Sequence, residues 1–372
     1  MTFNSLKVGT KRLPSATFAA GLAILVSLGG CASSPMKSDA SPEQASQENS
    51  ETMCGGEPRV GNGDLEEIRV GHSGGMFTQA YVEWGEQMGC FELFGVEPIS
   101  VDAGSVEKIA AIVGGSLDVA AESASTTVLA IANSGLDLRF ISGFHQYSVE
   151  DLSRALTPTL DDYGALALES ALLIHPDISF TGLNNLEGLK IGVSGMDSIA
   201  TLGLLRAARV EGLGAQDIQF VSAGSSERSA AFEAGQLDAV ILSGPRANMA
   251  LANGAVLAMY PGAYWYEPGP STVWITDQAH QRDSGDLIAA FDDGLRATYT
   301  LLDEPSHREQ FMKFLESEWG FEAEELKTYR IPNLMKGPIE LDGLQYLPLK
   351  LYEDGLLESG FQLTSQHLFY AG

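Results

Sequence analysis

The sequence predicts a two-lobed α/β fold in which each lobe is a parallel-rich β-sheet with helices on both faces, and a ligand cleft separates the lobes. Two observations predict it. Residues 98–123 match residues 218–243 without a gap, with 11 identities in 26 positions. Within each copy, apolar β-branched segments alternate with helical segments, which is typical of βαβ units that form parallel sheets. A unit that occurs twice in one chain indicates two similar lobes.

Strands and helices alternate through the first copy. Strands are predicted at residues 67–71, 99–102 and 117–121, and helices at residues 77–88 and 106–113. After the second copy the pattern predicts a strand at 271–276 and helices near 284–299, 306–319, 323–329 and 344–359. We therefore assign residues 64–175 and 268–372 to lobe 1 and residues 176–267 to lobe 2, so that the chain crosses between the lobes twice.

The first 63 residues are predicted to lie outside both lobes. Basic residues precede an apolar run at 16–28, which is the pattern of an export signal, so residues 1–30 are predicted to be a lipoprotein signal peptide. The run ends in Leu-Gly-Gly-Cys, which resembles the lipobox of bacterial lipoproteins and makes Cys31 the predicted lipidation site. Residues 31–63 hold hardly any large apolar residue and are predicted to be a flexible tether. An ordinary signal peptide that ends near a cysteine is the alternative.

Composition excludes several classes of protein. The 372 residues include 22 Lys and Arg against 49 Asp and Glu, a formal net charge of −27. Nucleic acids and anionic membrane surfaces bind clustered basic side chains, so neither is an expected partner apart from a membrane anchor at Cys31. The chain is expected to be a monomer. In an oxidising compartment the two other cysteines, Cys54 and Cys90, are predicted to form one disulfide; two separate buried thiols are the alternative.

Glycine and serine residues follow the predicted strands of both copies, at the edge where the carboxyl ends of parallel strands meet. Helix N-termini at that edge present unpaired N–H groups and a partial positive charge, which suits a small anionic or polar ligand. The candidate ligand-binding residues are Ser73, Gly74, Phe77, Thr78, Glu122, Ser123, Ser125, Thr126, His145, Ser194, Gly195, Met196, Ser198, Ser243 and Arg246. Each serine is alternatively a plain helix N-cap without a ligand contact.

Two of these candidates carry charge. Arg246 has the geometry to pair bidentately with a carboxylate, sulfonate or phosphate, and a surface or interlobe ion pair is the alternative. Glu122 has Leu242 as its counterpart in the repeat. Its carboxylate would favour a ligand that carries an amine, and a structural hydrogen bond is the alternative. The sequence therefore leaves the charge of the ligand open.

Catalytic motifs are sparse. Residues 71–75 fit the G-x-S-x-G nucleophile elbow of serine hydrolases, with His280, His307 and His367 as possible bases. The same Gly-x-Ser-Gly pattern occurs at 192–195, which favours a helix-capping turn over a unique nucleophile. The sequence contains no nucleotide-binding or metal-binding motif, so no cofactor and no metal are expected.

Three segments resemble one known family. Residues 112–120 and 232–240 each combine a helix end, a glycine, Leu-Asp and a strand, and residues 182–193 read GLNNLEGLKIGV. Along residues 68–259 the chain resembles the substrate-binding proteins of ABC importers for nitrate, taurine, alkanesulfonates and thiamine pyrimidine precursors, the NMT1-like group.

The resemblance implies a type II periplasmic-binding-protein fold and a transport function. We expect an extracytoplasmic, lipid-anchored receptor at the cell surface or in the periplasm, rather than an enzyme. It would capture a small polar or anionic organic solute, such as a sulfonate, nitrate or a pyrimidine-like compound, by hinge closure and deliver it to an ABC permease. The alternative is an enzyme of the same fold, a lyase or dehydratase that uses Glu122 and His145 as an acid–base pair. A serine hydrolase is less favoured.

Overall fold

The computed structural model describes residues 54, 65–72, 76–103, 105–156, 170–196, 198–327, 329–358 and 360–370. These residues belong to one compact unit. The predicted signal peptide, the predicted lipidation site at Cys31 and the predicted tether apart from Cys54 lie outside the described residues, as do Ser73 and Gly74.

Ten named strands form two sheets in the described part of the chain. In chain order they are β1 (Glu66–His72), β2 (Val96–Asp102), β3 (Val119–Ser123), β4 (Leu138–Tyr147), β5 (Ala171–Ile174), β6 (Lys190–Val193), β7 (Gln219–Ser222), β8 (Ala239–Leu242), β9 (Val256–Met259) and β10 (Gly269–Asp277). The first sheet has the order β2-β1-β3-β10-β4 and the second has the order β7-β6-β8-β5-β9. Strands β1, β2 and β3 run parallel, as do β6, β7 and β8. The predicted two-lobed fold with parallel-rich sheets is confirmed.

Helices cover both faces of the sheets. They are α1 (Met76–Gln87), α2 (Ser105–Val113), α3 (Ala124–Ser134), α4 (Val149–Leu156), α5 (Ile199–Val210), α6 (Ser225–Glu233), α7 (Gly244–Ala252), α8 (Gln278–Leu301), α9 (Pro305–Trp319), α10 (Ala323–Leu326) and α11 (Tyr346–Glu353). Alternate residues of β10 enter different apolar clusters: Trp274 packs with residues of α1, α8 and α9, whereas Val273 and Ile275 pack with residues of α2, α3 and α11. Since successive side chains of a strand point to opposite faces, the first sheet is buried on both sides.

The chain crosses between the sheets at different places from those predicted. The prediction kept residues up to 175 in lobe 1, but β5 pairs antiparallel with β8 and β9 and so belongs to the second sheet. The first crossing therefore lies between Tyr147 and Ala171. In the first sheet β10 takes the equivalent antiparallel position, between β3 and β4. The boundary was misplaced because the ungapped repeat contains only parallel strands. Each sheet also contains one antiparallel strand that follows a crossing between the lobes, β5 in the second sheet and β10 in the first.

The repeat has a structural reason. The Asp118 carboxylate accepts a hydrogen bond from the Arg69 backbone N–H at 2.7 Å, and the Asp238 carboxylate accepts one from the Lys190 N–H at 2.8 Å. Each aspartate thus ties the start of β3 or β8 to the neighbouring parallel strand. Leucine side chains follow the same rule: a β-carbon at Gly71 would lie 2.6 Å from Leu117 Cδ1, and one at Gly192 would lie 2.7 Å from Leu237 Cδ1. The first glycine of each Gly-x-Ser-Gly pattern, Gly71 or Gly192, is therefore required by packing against this leucine.

The edge strand β4 is covered by segments from the C-terminal part of the chain. Met335 N–H donates to the Phe144 carbonyl at 3.0 Å, Gln146 N–H donates to the Asn333 carbonyl at 3.1 Å, and Phe369 N–H donates to the Phe140 carbonyl at 2.8 Å. These bonds occupy backbone groups that an exposed edge would offer to another chain. Within the described residues, no helix combines the length and the apolar character needed to span a bilayer.

Gly203 allows α5 to contact the turn at Pro261–Tyr264. A β-carbon at position 203 would overlap the Pro261 carbonyl group, which is backbone and cannot rotate away. We expect Gly203→Ala to lower the free energy of unfolding by about 1–3 kcal/mol, as in other overpacked sites. Gly285→Ala in α8 is the matched control, because a β-carbon there meets no atom within 4 Å. Urea unfolding of both variants checks this expectation; equal stability of the two variants would contradict it.

Candidate functional site

A cavity of about 280 Å³ lies between the two lobes. The first lobe contributes the end of β3, the first turn of α3, the end of β4 and the start of β10. The second lobe contributes Ser194 after β6 and the first turn of α5, and the segments that join the lobes add three further residues. Its lining consists of Glu122, Ser123, Ser125, Thr126, His145, Tyr147, Ser170, Ser194, Ser198, Ile199, Ala200, Gly262, Tyr266, Ser271 and Thr272. Seven of the predicted ligand-binding residues are among them.

Two helix N-termini, one from each lobe, meet at this cavity. Helix α5 begins after Ser198, whose hydroxyl accepts a hydrogen bond from the Thr201 backbone N–H at 3.3 Å. Helix α3 begins after Ser123, whose hydroxyl bonds the Ser125 hydroxyl at 2.8 Å and does not cap the helix. Backbone N–H groups and a partial positive charge therefore face the cavity from both sides.

Hydroxyl groups dominate the lining. Eight of the lining residues are serine or threonine, and Tyr147 and Tyr266 pack together with ring centroids 4.6 Å apart. Among the described residues that line the cavity, none is lysine or arginine. A ligand in this cavity would therefore be held by hydroxyl and backbone donors and by helix dipoles.

Glu122 is paired with a lysine beneath the cavity. Its Oε2 lies 3.4 Å from Lys108 Nζ, and its Oε1 accepts a hydrogen bond from the Ser123 N–H at 2.8 Å. Lys108 Nζ also donates to the Ala121 carbonyl, and only 1% of Lys108 and 4% of Glu122 are exposed. Burial lowers the pKa of Lys108, and the Glu122 carboxylate opposes that shift. The expectation that Glu122 selects a ligand with an amine is weakened, because Lys108 already balances its charge.

His145 is neutral in the folded protein at physiological pH. Its Nδ1 lies 2.8 Å from Ser271 Oγ, and its ring packs edge-on against Tyr147. Burial lowers the pKa of His145 to about 4. An imidazole with this pKa and a carboxylate bound to Lys108 make a poor acid–base pair near neutral pH.

This burial predicts a dependence of stability on pH. The folded pKa of His145, about 4, lies below the unfolded value of about 6.5, so the unfolded state binds a proton first. Stability is then constant above about pH 6.5 and is lost as pH falls from there to about 4. His72, whose pKa burial lowers to about 3, acts in the same direction.

We expect His145→Asn to reduce the slope of unfolding free energy between about pH 5 and 6 by about 1 kcal/mol per pH unit. Urea unfolding at several pH values tests this; an unchanged slope would contradict it.

Several predicted site residues lie elsewhere. Thr78 is buried and bonds the His72 ring at 3.1 Å, and Ser243 is the residue that precedes α7. Arg246 is exposed and donates to Ser226 Oγ at 3.0 Å within the second lobe. Gly195 and Met196 follow Ser194 but do not line the cavity, and Met196 is 43% exposed. Ser73 and Gly74 lie outside the described residues, as does the side chain of Phe77.

One of the possible serine-hydrolase bases, His280, lies near the start of β3. His280 Nδ1 lies 2.8 Å from Asp277 Oδ1, and His280 Nε2 lies 3.7 Å from Asp118 Oδ1. Asp118 directly precedes β3, whereas the turn after β1 is at the carboxyl end of the parallel strands. The second residue of the motif, His72, is fully buried and contacts Thr78 and Ser100. His280 therefore lies at the opposite end of the parallel strands from the carboxyl end of β1.

Residues missed by the sequence reasoning come mainly from the segments that cross between lobes. Ser271 and Thr272 lie in the returning strand β10, Ser170 directly precedes β5, and Gly262 follows β9. Ser170, Ser271 and Thr272 could have been predicted, because each is a polar residue within or beside one of the apolar strands β5 and β10 that follow the crossings.

Solved structures of other proteins share the fold of this chain. The periplasmic aliphatic sulphonate binding protein SsuA from Escherichia coli superposes with a TM-score of 0.62 at 19% identity, over 82% of this chain and 98% of that chain. The alkanesulfonate-binding protein SsuA from Xanthomonas axonopodis pv. citri, bound to MOPS, gives 0.60 at 20% identity, over 80% and 96%. The Candida albicans CA3427 gene product, described as having the generic periplasmic binding protein fold, gives 0.59 at 15% identity, over 80% and 92%. The chain has the periplasmic binding protein fold.

A family model matches a shorter part of the chain than the solved structures do. Residues 169–306 match the family model described as NMT1/THI5 like. The predicted resemblance to the NMT1-like group is confirmed over this segment, which contains the second sheet, β10 and α8. No curated protein matches the chain.

Proposed function

We propose that the protein is an extracytoplasmic solute-binding receptor that delivers a small organic anion to an ABC permease. The observation that carries this proposal is the shared cavity, where the N-termini of α3 and α5 and eight hydroxyl side chains from both lobes converge. Among the expected solutes we favour a sulfonate, since its three acceptor oxygens match hydroxyl and backbone donors and its organic group, which nitrate lacks, would occupy more of the cavity of about 280 Å³. The two SsuA proteins, one aliphatic sulphonate binding and the other alkanesulfonate-binding, support this choice.

Ligand contacts from both lobes supply a mechanism for capture. A solute bound to Ser123 or Ser125 on one side and to Ser194 or Ser198 on the other side would stabilise a closed arrangement of the lobes. Helix α5 also links the lobes outside the cavity. Arg206 Nη2 lies 3.0 Å from Asp354 Oδ1, and Leu202 is buried among residues of the first lobe. These contacts hold α5 of the second lobe against the first lobe.

A thermal-shift screen tests the receptor proposal. The purified protein is heated with taurine, alkanesulfonates, aromatic sulfonates, nitrate, pyrimidines and small amines, each at about a thousandfold excess over a plausible Kd. Binding to the native state alone stabilises by about 4 kcal/mol under these conditions, which raises Tm by several degrees. We expect sulfonates to respond. A protein stripped of bound solute by unfolding and refolding that responds to none of these compounds would contradict the proposal.

Lipid anchoring belongs to the same proposal. Cys31 follows a predicted signal peptide, and a tether of about 30 residues would let the receptor reach a permease in the same membrane. Mass spectrometry of the exported protein checks this point. We expect a diacylglyceryl group on Cys31 and a Cys31→Ala variant that fractionates away from membranes; an unmodified Cys31 in the exported wild-type protein would contradict it.

A further inference from the structure

A second cavity, of about 460 Å³, lies in the first lobe between the end of α8, helix α9 and the segment from Leu326 to Lys336. It shares no lining residue with the cavity between the lobes. Strand β4 connects the two sites: His145 lines the cavity between the lobes, and its backbone pairs with that of Leu334 in the second cavity. Nothing in the proposed transport function uses this second cavity.

The floor of the second cavity is apolar with two phenol groups. Tyr299, Leu302, Leu326, Tyr329 and Leu334 line it and are each at most 8% exposed. The Tyr299 hydroxyl accepts a hydrogen bond from Trp274 Nε1 at 3.0 Å, and its own proton has no acceptor within the described part of the chain. Burial raises the pKa of Tyr299 and of Tyr329, so both remain neutral, and the Tyr329 hydroxyl bonds the Tyr81 hydroxyl at 3.0 Å.

The rim of this cavity is basic although the chain is strongly acidic. Arg308, Arg330 and Lys336 line it against a single acidic lining residue, Asp303, whereas the whole chain has 22 basic and 49 acidic residues. Lys336 is paired with Asp303. Arg308 donates to the carbonyls of Leu302 and Asp303, and Arg330 donates to those of Lys327 and Tyr329. Among the described side chains no carboxylate neutralises either arginine.

We propose that this cavity binds a small amphipathic anion, with an alkyl chain on the apolar floor and a carboxylate or sulfonate head at Arg308 and Arg330. The guanidinium groups supply charge-assisted hydrogen bonds to the head, and the leucines and Met312 cover the chain. The site is separate from the transport cleft, since the two cavities share no lining residue.

Calorimetric titration of the purified protein with octanoate tests this proposal, with acetate as the ligand that lacks the chain. We expect octanoate to bind at least about tenfold more tightly than acetate, because each buried CH₂ group adds to affinity. Arg330→Gln is expected to weaken octanoate binding at least about tenfold. The matched control is Arg282→Gln, which removes an exposed arginine paired with Asp283 outside both cavities.

A variant of the transport cleft separates the two sites. Ala200→Glu places a carboxylate in the cavity between the lobes and should leave octanoate binding unchanged, while Arg330→Gln should leave binding of taurine, which has no long alkyl chain, unchanged in the cavity between the lobes. Octanoate binding that is lost in Ala200→Glu would assign octanoate to the transport cleft and overturn the proposal. Binding that is insensitive to Arg330→Gln, equal affinity for acetate, or no octanoate binding at about 10 mM would also overturn it.

Discussion

Lys108→Met is expected to lower the free energy of unfolding by about 3–5 kcal/mol, because it removes the ammonium group that lies 3.4 Å from the buried Glu122 carboxylate. The two side chains are 2% and 3% exposed, so water cannot replace the lost ammonium group. Glu122 also lines the cavity between the lobes, and loss of the neighbouring positive charge is expected to weaken binding of an anionic solute there. Urea unfolding measures the loss of stability.

Two further variants make this prediction specific. Lys313→Met breaks another Lys–Glu pair, but Lys313 and Glu309 are 70% and 71% exposed, so we expect a loss of less than about 1 kcal/mol. The double variant Lys108→Met with Glu122→Leu removes both buried charges. Leucine is the residue found at the equivalent position of the second lobe, Leu242. It should recover much of the stability. A single Lys108 variant as stable as Lys313→Met would show that the buried pair has no special role.

Reduction of the disulfide between Cys54 and Cys90 should cost about 4 kcal/mol. The structure joins these cysteines with Cα atoms 5.2 Å apart and 36 positions apart in sequence. A cross-link that closes a loop of this length restricts the unfolded chain by about that amount. The loop includes β1 and α1, so the disulfide ties Cys54, a residue of the predicted tether, to the first lobe.

Urea unfolding with and without reductant measures this contribution. The wild-type protein should lose stability on reduction, whereas Cys54→Ser should be less stable from the start and insensitive to reductant. Cys90 is fully buried and remains unchanged in this variant, so packing around it is preserved. Equal stability of the oxidised and reduced wild-type protein would contradict the expectation.

The sequence predicted most of the fold because the repeat carries the parallel core. The predicted helix at 77–88 is α1 at Met76–Gln87, and the predicted strand at 271–276 is β10 at Gly269–Asp277. Helix α1 has an amphipathic pattern, and β10 contains a short run of apolar and β-branched residues. Strand β5 was assigned to the wrong lobe because four apolar residues fit the middle of either sheet. Only its antiparallel pairing with β8 and β9 decides the matter, and pairing across a long separation leaves no local pattern.

The site was predictable only where it follows a parallel strand. Ser123, Ser125, Ser194 and Ser198 were found because helix N-termini at strand ends are marked by small polar residues. Arg246 was predicted from its charge alone, and charge does not show which way a side chain points. In the structure its guanidinium group donates to Ser226 instead of lining the cavity. The role of Glu122 depends on Lys108, which is 14 positions earlier and lies beneath the cavity because α2 packs on β3. Such a pairing is a property of the folded chain alone.

The central claim is that the solute binds between the lobes, and calorimetric titration of two matched variants tests it most directly. Ala200→Glu adds a carboxylate to the cavity in the first turn of α5, where an acidic residue also suits the helix dipole. Ala230→Glu adds the same group at an exposed position of α6 in the same lobe. For an anionic solute found in the screen, repulsion and lost space should weaken binding to Ala200→Glu by at least about a hundredfold, while Ala230→Glu binds as wild type. Unchanged affinity in Ala200→Glu would contradict the account.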